Sequence, residues 1–99
     1  MIVEHAILQV RRGQSAVFAA AMAKARPLVA VQPGFQSIEV RPSSDEPDRY
    51  LLLIVWDRIE SHRDGFRQSA EYQQWRALLH PFYDPMPVVN YYGRCIFDD

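Results

Sequence analysis

The chain has 99 residues, of which 48% are hydrophobic and 23% charged, and its formal net charge is −1 at pH 7. A chain of this length supports one hydrophobic core, so residues 1–99 read as a single domain, and the apolar fraction excludes disorder as the default. Acids and bases are interspersed with no basic face or charged tail, which argues against nucleic acid and anionic membrane as partners.

Ile2 to Val10 alternates loosely, with Ile2, Ala6, Leu8 and Val10 in one phase and Val3, His5 and Ile7 in the other. This reads as a strand that is largely apolar on both sides. The same stretch has neither the basic flank nor the long apolar run of a secretory leader, and no apolar run in the chain reaches spanning length, so the expectation is a cytoplasmic protein. His5 has no His or Cys near it in sequence and reads as a packed boundary residue, kept as a pocket candidate because the strand can aim it inward.

Arg11-Arg12-Gly13 breaks the strand, and Gln14 to Val31 reads as an alanine-rich helix with Phe18, Met22, Ala25 and Val29 at helical spacing. Pro27 removes a backbone donor and is expected to kink or end its regular part. Pro33-Gly34 supplies the central residues of a type II turn. Phe35 to Arg41 is a shorter, more polar strand with Phe35 out of phase with Ile38 and Val40, and Pro42 to Asp48 is a surface loop.

Arg49 to Trp56 is a strand without alternation, since Tyr50, Leu52, Ile54 and Trp56 face one way while Leu51, Leu53 and Val55 face the other. A strand apolar on both faces must be covered on both faces. Two helices suffice for one face of a four-stranded sheet, and the same face of a second copy would cover the other, which predicts a homodimer.

Asp57-Arg58-Ile59-Glu60 has the spacing of a capping box, and Ile59, His62, Arg63 and Phe66 follow at i, i+3, i+4, i+7 on a helical stripe facing the sheet. Gly65 weakens this helix, and Gln68-Ser69 caps a second segment in which Tyr72, Trp75, Arg76 and Leu79 repeat the spacing. His80-Pro81 ends it. Phe82 to Pro87 is an aromatic and proline-rich connection, and Val88 to Phe97 is the last strand. Cys95, the one cysteine, cannot form an internal disulfide and reads as a small apolar residue near that strand's end.

The order is β-α-β-β-α-β, the split pattern of a ferredoxin-like α+β domain with an antiparallel sheet. Histidines at 5, 62 and 80 form no His-x-x-x-His pair, and the glycines at 13, 34, 65 and 93 stand alone, so neither a metal nor a nucleotide cofactor is indicated.

Pro33-Gly34-Phe35, the Tyr50-Leu51-Leu52 strand ending in Trp56, Glu60-Ser61-His62, the segment Gly65 to Ser69, and the run from Trp75 to Pro85 together resemble the antibiotic biosynthesis monooxygenase family. The resemblance covers nearly the whole chain. It implies a dimeric α+β barrel with a cavity between sheet and helices in each subunit. Relatives include oxygenases acting on phenolic polyketides or quinols without metal, flavin or haem, and also haem-degrading enzymes. From the haem-degrading branch this chain departs at decisive places, because Phe66 stands where that branch has a helix tryptophan and Arg76 where it has the iron-binding histidine. A guanidinium does not ligate iron.

The implied activity is cofactor-independent oxygenation of a quinol or polycyclic phenol. Such chemistry needs an apolar cavity, a base for the phenolic proton and a polar contact for the resulting anion. His62, near the start of a helix whose positive end disfavours imidazolium, is the base candidate. The more ordinary reading is a core histidine bonded to a backbone carbonyl or paired to Glu60 or Asp57. Tyr72 and Trp75 read as an aromatic wall or simply as core, with Trp56 closing the strand side, and Phe66 of the preceding stripe is counted among the substrate-binding candidates. Arg76 is preferred over Arg67 to hold a phenolate because it shares the Tyr72 to Leu79 stripe, and Tyr83 or Tyr72 can donate to a substrate. The competing expectations are a non-catalytic dimer that binds a small hydrophobic molecule, and an isomerase or lyase-type enzyme using His62 as a proton shuttle.

Overall fold

The computed structural model describes residues 1–97. Its elements are β1 (Ile2–Gln9), α1 (Ser15–Ala30), β2 (Phe35–Pro42), β3 (Arg49–Trp56), a π-helical turn (Ser61–Gly65), a 3-10 turn (Phe66–Gln68), α2 (Ala70–Leu79), a second 3-10 turn (His80–Phe82) and β4 (Asn90–Tyr92). The strands form one antiparallel sheet in the order β2-β3-β1-β4, which is the ferredoxin-like arrangement of an α+β chain.

Both helices pack on one face of the sheet. Phe18, Met22, Ala25 and Val29 of α1 and Trp75 and Leu79 of α2 are buried against Ala6, Leu8, Leu52, Ile54 and Trp56. The α1 stripe is the one its spacing predicts. Pro27 does not end the helix, because only its own donor is lost and the next turn closes when the Val31 amide donates to the Pro27 carbonyl at 3.3 Å.

Phe35 differs from its expected phase. A bulge between Phe35 and Ser37 inserts one residue, so Phe35 pairs with Trp56 while Ile38 and Val40 pair with Ile54 and Leu52. All three side chains of β2 thereby reach the same core.

The segment after β3 is less regular than the sequence predicts. The Asp57 carboxylate accepts from the Ser61 hydroxyl rather than forming a reciprocal pair with Glu60, and the Asp57 amide donates to the Gly34 carbonyl at 2.9 Å. The wider π turn keeps His62 and Phe66 inside but leaves Arg63 exposed, so the expected four-residue stripe is broken. Ser69 is the N-cap of α2, its hydroxyl accepting from the Tyr72 amide at 3.1 Å and donating to the Phe66 carbonyl at 2.6 Å.

β4 is much shorter than the expected Val88 to Phe97. Only Val3, Glu4 and His5 pair with it, and Ile96 and Phe97 are 89% and 83% exposed. On the outward face of the sheet Leu51, Leu53 and Val55 are half-buried and Ile7 is exposed, so the second apolar phase of β1 and β3 is only partly covered by the described residues.

The Pro33-Gly34 turn fixes where β3 hands over to the π turn. The Phe35 amide donates to the Gln32 carbonyl at 3.2 Å, Gly34 has φ +85°, and a Cβ there would collide with the Asp57 carboxylate and the Ser61 hydroxyl. Gly34→Ala is therefore expected to lower stability by about 1–3 kcal/mol in urea denaturation, from backbone strain alone before the collision is counted.

Candidate functional site

A cavity of about 240 Å³ lies between the inner face of the sheet and the bend that leads into α2. Ala6, Leu8 and Leu52 form its sheet side, and Phe66, Tyr72 and Trp75 form the helix side. Phe66 meets the rings of Tyr72 and Trp75 edge-on, with centroids 5.3 and 5.5 Å apart. Tyr83, Met86, Pro87 and Val89, from the aromatic-proline connection, close a third side.

One corner of this apolar space is polar. Glu4 is the acid in the inward phase of β1, 4% exposed, and its Oε1 accepts from Trp56 Nε1 at 2.9 Å. His62 Nε2 lies 3.4 Å from the same oxygen, and His62 Nδ1 is 2.5 Å from the Tyr91 hydroxyl. Strand pairing of Glu4 with Tyr91 brings the outer member of this group beside the inner one.

Burial decides the charge state. It raises the Glu4 carboxyl to about 7, against the hydrogen bond from Trp56 and the positive charge of Arg67, both of which favour the carboxylate. It lowers His62 to about 4, and Arg67 acts in the same direction. Near neutral pH the imidazole is therefore neutral and the carboxyl is poised between its two forms, so the close approach of the two groups is not an ion pair. The neutrality of His62 comes from burial and Arg67, not from the helix terminus that the sequence suggested.

Arg67 is exposed as a residue but lines the cavity, and it makes no hydrogen bond or ion pair among the described residues. Its field reaches Glu4, His62, His80 and Tyr91. His80 also lines the cavity, its imidazolium disfavoured by partial burial and by Arg76 and Arg67. Burial holds the Tyr83 hydroxyl well above the usual phenol range, so it stays a donor.

The sequence-predicted residues fall into three groups. His62, Phe66, Tyr72, Trp75 and Tyr83 line the cavity together. Trp56 is fully buried behind the lining, with its indole nitrogen on Glu4 rather than facing the space. Arg76 is exposed on the outer side of α2 beside Gln73 and Ala77, because the stripe rotates it away, and Arg67 occupies the position expected of it. His62 takes Tyr91 and Glu4 as neighbours, neither Glu60 nor Asp57 nor a backbone carbonyl. His5 lies on the other face of the sheet, its Nδ1 buried without a hydrogen-bond partner among the described residues.

Glu4, Arg67, His80 and Tyr91 are the site residues that sequence reasoning missed or set aside. For Glu4 a signal existed, since it is the acid in an otherwise apolar phase of β1. A haem does not fit this arrangement. The cavity is below the roughly 300–1,000 Å³ usual for drug-sized ligands, and the positions departing from the haem-degrading pattern hold a ring that fills space, Phe66, and an arginine outside the cavity, Arg76. No three His, Cys, Asp or Glu side chains among the described residues are grouped to hold a metal ion.

Comparison with known proteins agrees with this architecture. A family model described as antibiotic biosynthesis monooxygenase matches residues 1–78. The uncharacterized protein YczJ of Bacillus subtilis is 38% identical over 92 residues, covering 93% of this chain and 97% of that protein. A crystal structure from Bordetella bronchiseptica carrying the same family description superposes with a TM-score of 0.90 at 34% identity, covering 96% of this chain and 97% of the other. SnoaB, a cofactor-independent oxygenase from Streptomyces nogalater, has the same fold, with a TM-score of 0.84 at 17% identity over 99% of this chain and 97% of the other.

The raised Glu4 gives a signed stability prediction. A carboxyl whose folded value exceeds its unfolded one contributes stability that is full below the unfolded value of 4.5 and is lost as pH rises through about 7. Glu4→Gln keeps the acceptor for Trp56 and removes the titration. Relative to the parent, the variant should gain about 3 kcal/mol between pH 4.5 and about pH 8 in urea denaturation.

Proposed function

Because the chain belongs to the antibiotic biosynthesis monooxygenase family, we propose that it is a cofactor-independent monooxygenase that oxidises a quinol or phenolic small molecule in the cavity between its sheet and α2. The observation that carries this reading is the combination of an aromatic cavity with one polar corner, where a neutral imidazole, His62, and a carboxyl poised near neutrality, Glu4, stand beside the cation of Arg67. An apolar wall of Phe66, Tyr72 and Trp75 suits a planar ring. The Glu4–His62 corner suits removal of its phenolic proton, and Arg67 suits the phenolate that results.

The reaction closes without an outside reductant. A phenol and dioxygen give a quinone and water, and all four electrons come from the ring. The protein's part is to hold the ring, accept and return protons, and keep bulk water away from the reduced oxygen species. Tyr83, kept protonated by burial, donates to a substrate oxygen.

The protein acts as a cytoplasmic homodimer in this reading. Support comes from the partly covered outward face of β1 and β3 and from the exposed Ile96 and Phe97 beyond β4, which a second copy of the same face would cover. An exposed free Cys95 suits a reducing compartment. A monomer at micromolar concentration in sedimentation would contradict the dimer.

Oxygen uptake by metal-stripped protein, measured with a panel of quinols and hydroxyanthrones, tests the activity. Uptake proportional to protein and to quinone formed is the expected result, with smaller ring systems turning over faster because the cavity is about 240 Å³. Binding without turnover would instead identify a carrier, and product without oxygen loss an isomerase built on the same acid–base pair. Arg67→Ala, which alters an exposed residue and should leave folding intact, is expected to lower kcat/KM about 100-fold through loss of phenolate stabilisation.

A further inference from the structure

The Nδ1 side of the His62 ring is held by Tyr91, and its Nε2 side is turned toward Glu4. Nδ1 is within hydrogen-bond distance of the Tyr91 hydroxyl at 2.5 Å, and Nε2 faces Glu4 Oε1 at 3.4 Å. A substrate hydroxyl entering the cavity meets an imidazole whose Nδ1 is held by Tyr91 and whose Nε2 is directed at a carboxylate oxygen. Glu4 differs, since Oε1 accepts from Trp56 and faces His62 while Oε2 makes no hydrogen bond among the described residues, and Glu4 itself lines the cavity.

From this geometry we infer that Glu4, rather than His62, is the group that takes the substrate's proton, and that His62 is a positioning residue held by Tyr91 and set against the carboxylate. This rests on the phenol-oxidising reading of the cavity. Glu4 Oε2 accepts the phenolic proton, giving the phenolate and a neutral carboxyl. The electron pair of the phenolate passes through the ring to dioxygen, and a carbon–oxygen bond forms. Glu4 returns the proton to the outer peroxide oxygen and is again a carboxylate. It then takes the hydrogen on the oxygenated carbon as a proton, the carbonyl forms, the oxygen–oxygen bond breaks, and the departing hydroxide leaves as water with that proton.

The groups facing Glu4 favour this role. His62 and Arg67 approach from the bend after β3, Tyr91 from β4, and Tyr72, His80 and Tyr83 lie across the cavity. Arg67 is the group among these that carries full charge at neutral pH, so a phenolate formed by transfer to Glu4 gains a cation as the carboxyl loses its charge. A carboxyl poised at about 7 matches proton transfer near neutrality, whereas an imidazole at about 4 is a weak base there.

Proton uptake during binding of 4-nitrophenolate separates the two assignments. It is read by calorimetry in buffers of different ionisation enthalpy on the mildly alkaline side of neutral, where the free ligand is ionised. The parent is expected to take up close to one proton per site, Glu4→Gln close to none with affinity retained, and His62→Gln close to one. Oxygen uptake by Glu4→Gln with a turned-over quinol should fall about 100-fold, while that of His62→Gln should fall by about 10-fold or less and displace the acid limb of the pH–rate profile. Uptake that survives in Glu4→Gln and vanishes in His62→Gln would overturn the assignment while leaving the oxygenase reading intact. Failure of the parent to bind or oxidise any phenol would sink the reading itself, and the assignment with it.

Discussion

A carboxyl group held inside an apolar sheet is the constraint on which the rest of this structure depends. Glu4 sits in the inward phase of β1 between residues that belong to the core, and a buried acid without partners costs several kcal/mol. Its partners come from three other elements. Trp56 must close the end of β3 to reach its oxygen, the π turn must present His62 inward rather than Arg63, and β4, three residues long, must pair opposite Glu4 so that Tyr91 can hold the imidazole. The irregular segment after β3 thus has a local reason: an α-helical continuation would place its stripe differently, and the wider turn aims one ring into the polar corner.

The same burial sets the chemistry. Two opposing influences act on Glu4, and desolvation exceeds the combined pull of Arg67 and the Trp56 hydrogen bond. On His62 desolvation and Arg67 act together. The result is a neutral imidazole beside a carboxyl poised between its two forms near neutral pH, and the positive field at the cavity is that of Arg67. An anion generated inside the cavity meets a cation already in place, and proton transfer to Glu4 removes a competing negative charge in the same step.

Much of the scaffold was legible in the sequence because periodicity reports burial directly. The α1 stripe of Phe18, Met22, Ala25 and Val29, the two apolar phases of β3 and the Ser69 cap all follow from local spacing. Features set by tertiary pairing were not. The bulge that returns Phe35 to the core depends on its register with Trp56, and β4 is limited to the three residues that pair with β1. The site divides the same way. Tyr72 and Trp75, three apart on one helix face, both lie on the cavity, with Phe66 and Tyr83 beside them, but the choice between Arg67 and Arg76 turned on the rotation of a helix relative to the bend before it. Glu4 is far in sequence from every residue that gives it meaning, and only its phase hinted at it.

The titration of Glu4 in the ligand-free protein tests this account most directly. With the glutamate side chains labelled with carbon-13 at the carboxyl and Glu4 assigned by comparison with Glu4→Gln, the account predicts a resonance that titrates near pH 7, far above the ordinary value of 4.5. A Glu4 carboxyl that titrates near 4.5 would mean that its charge is fully accommodated at neutral pH, and the poised acid–base corner would not exist.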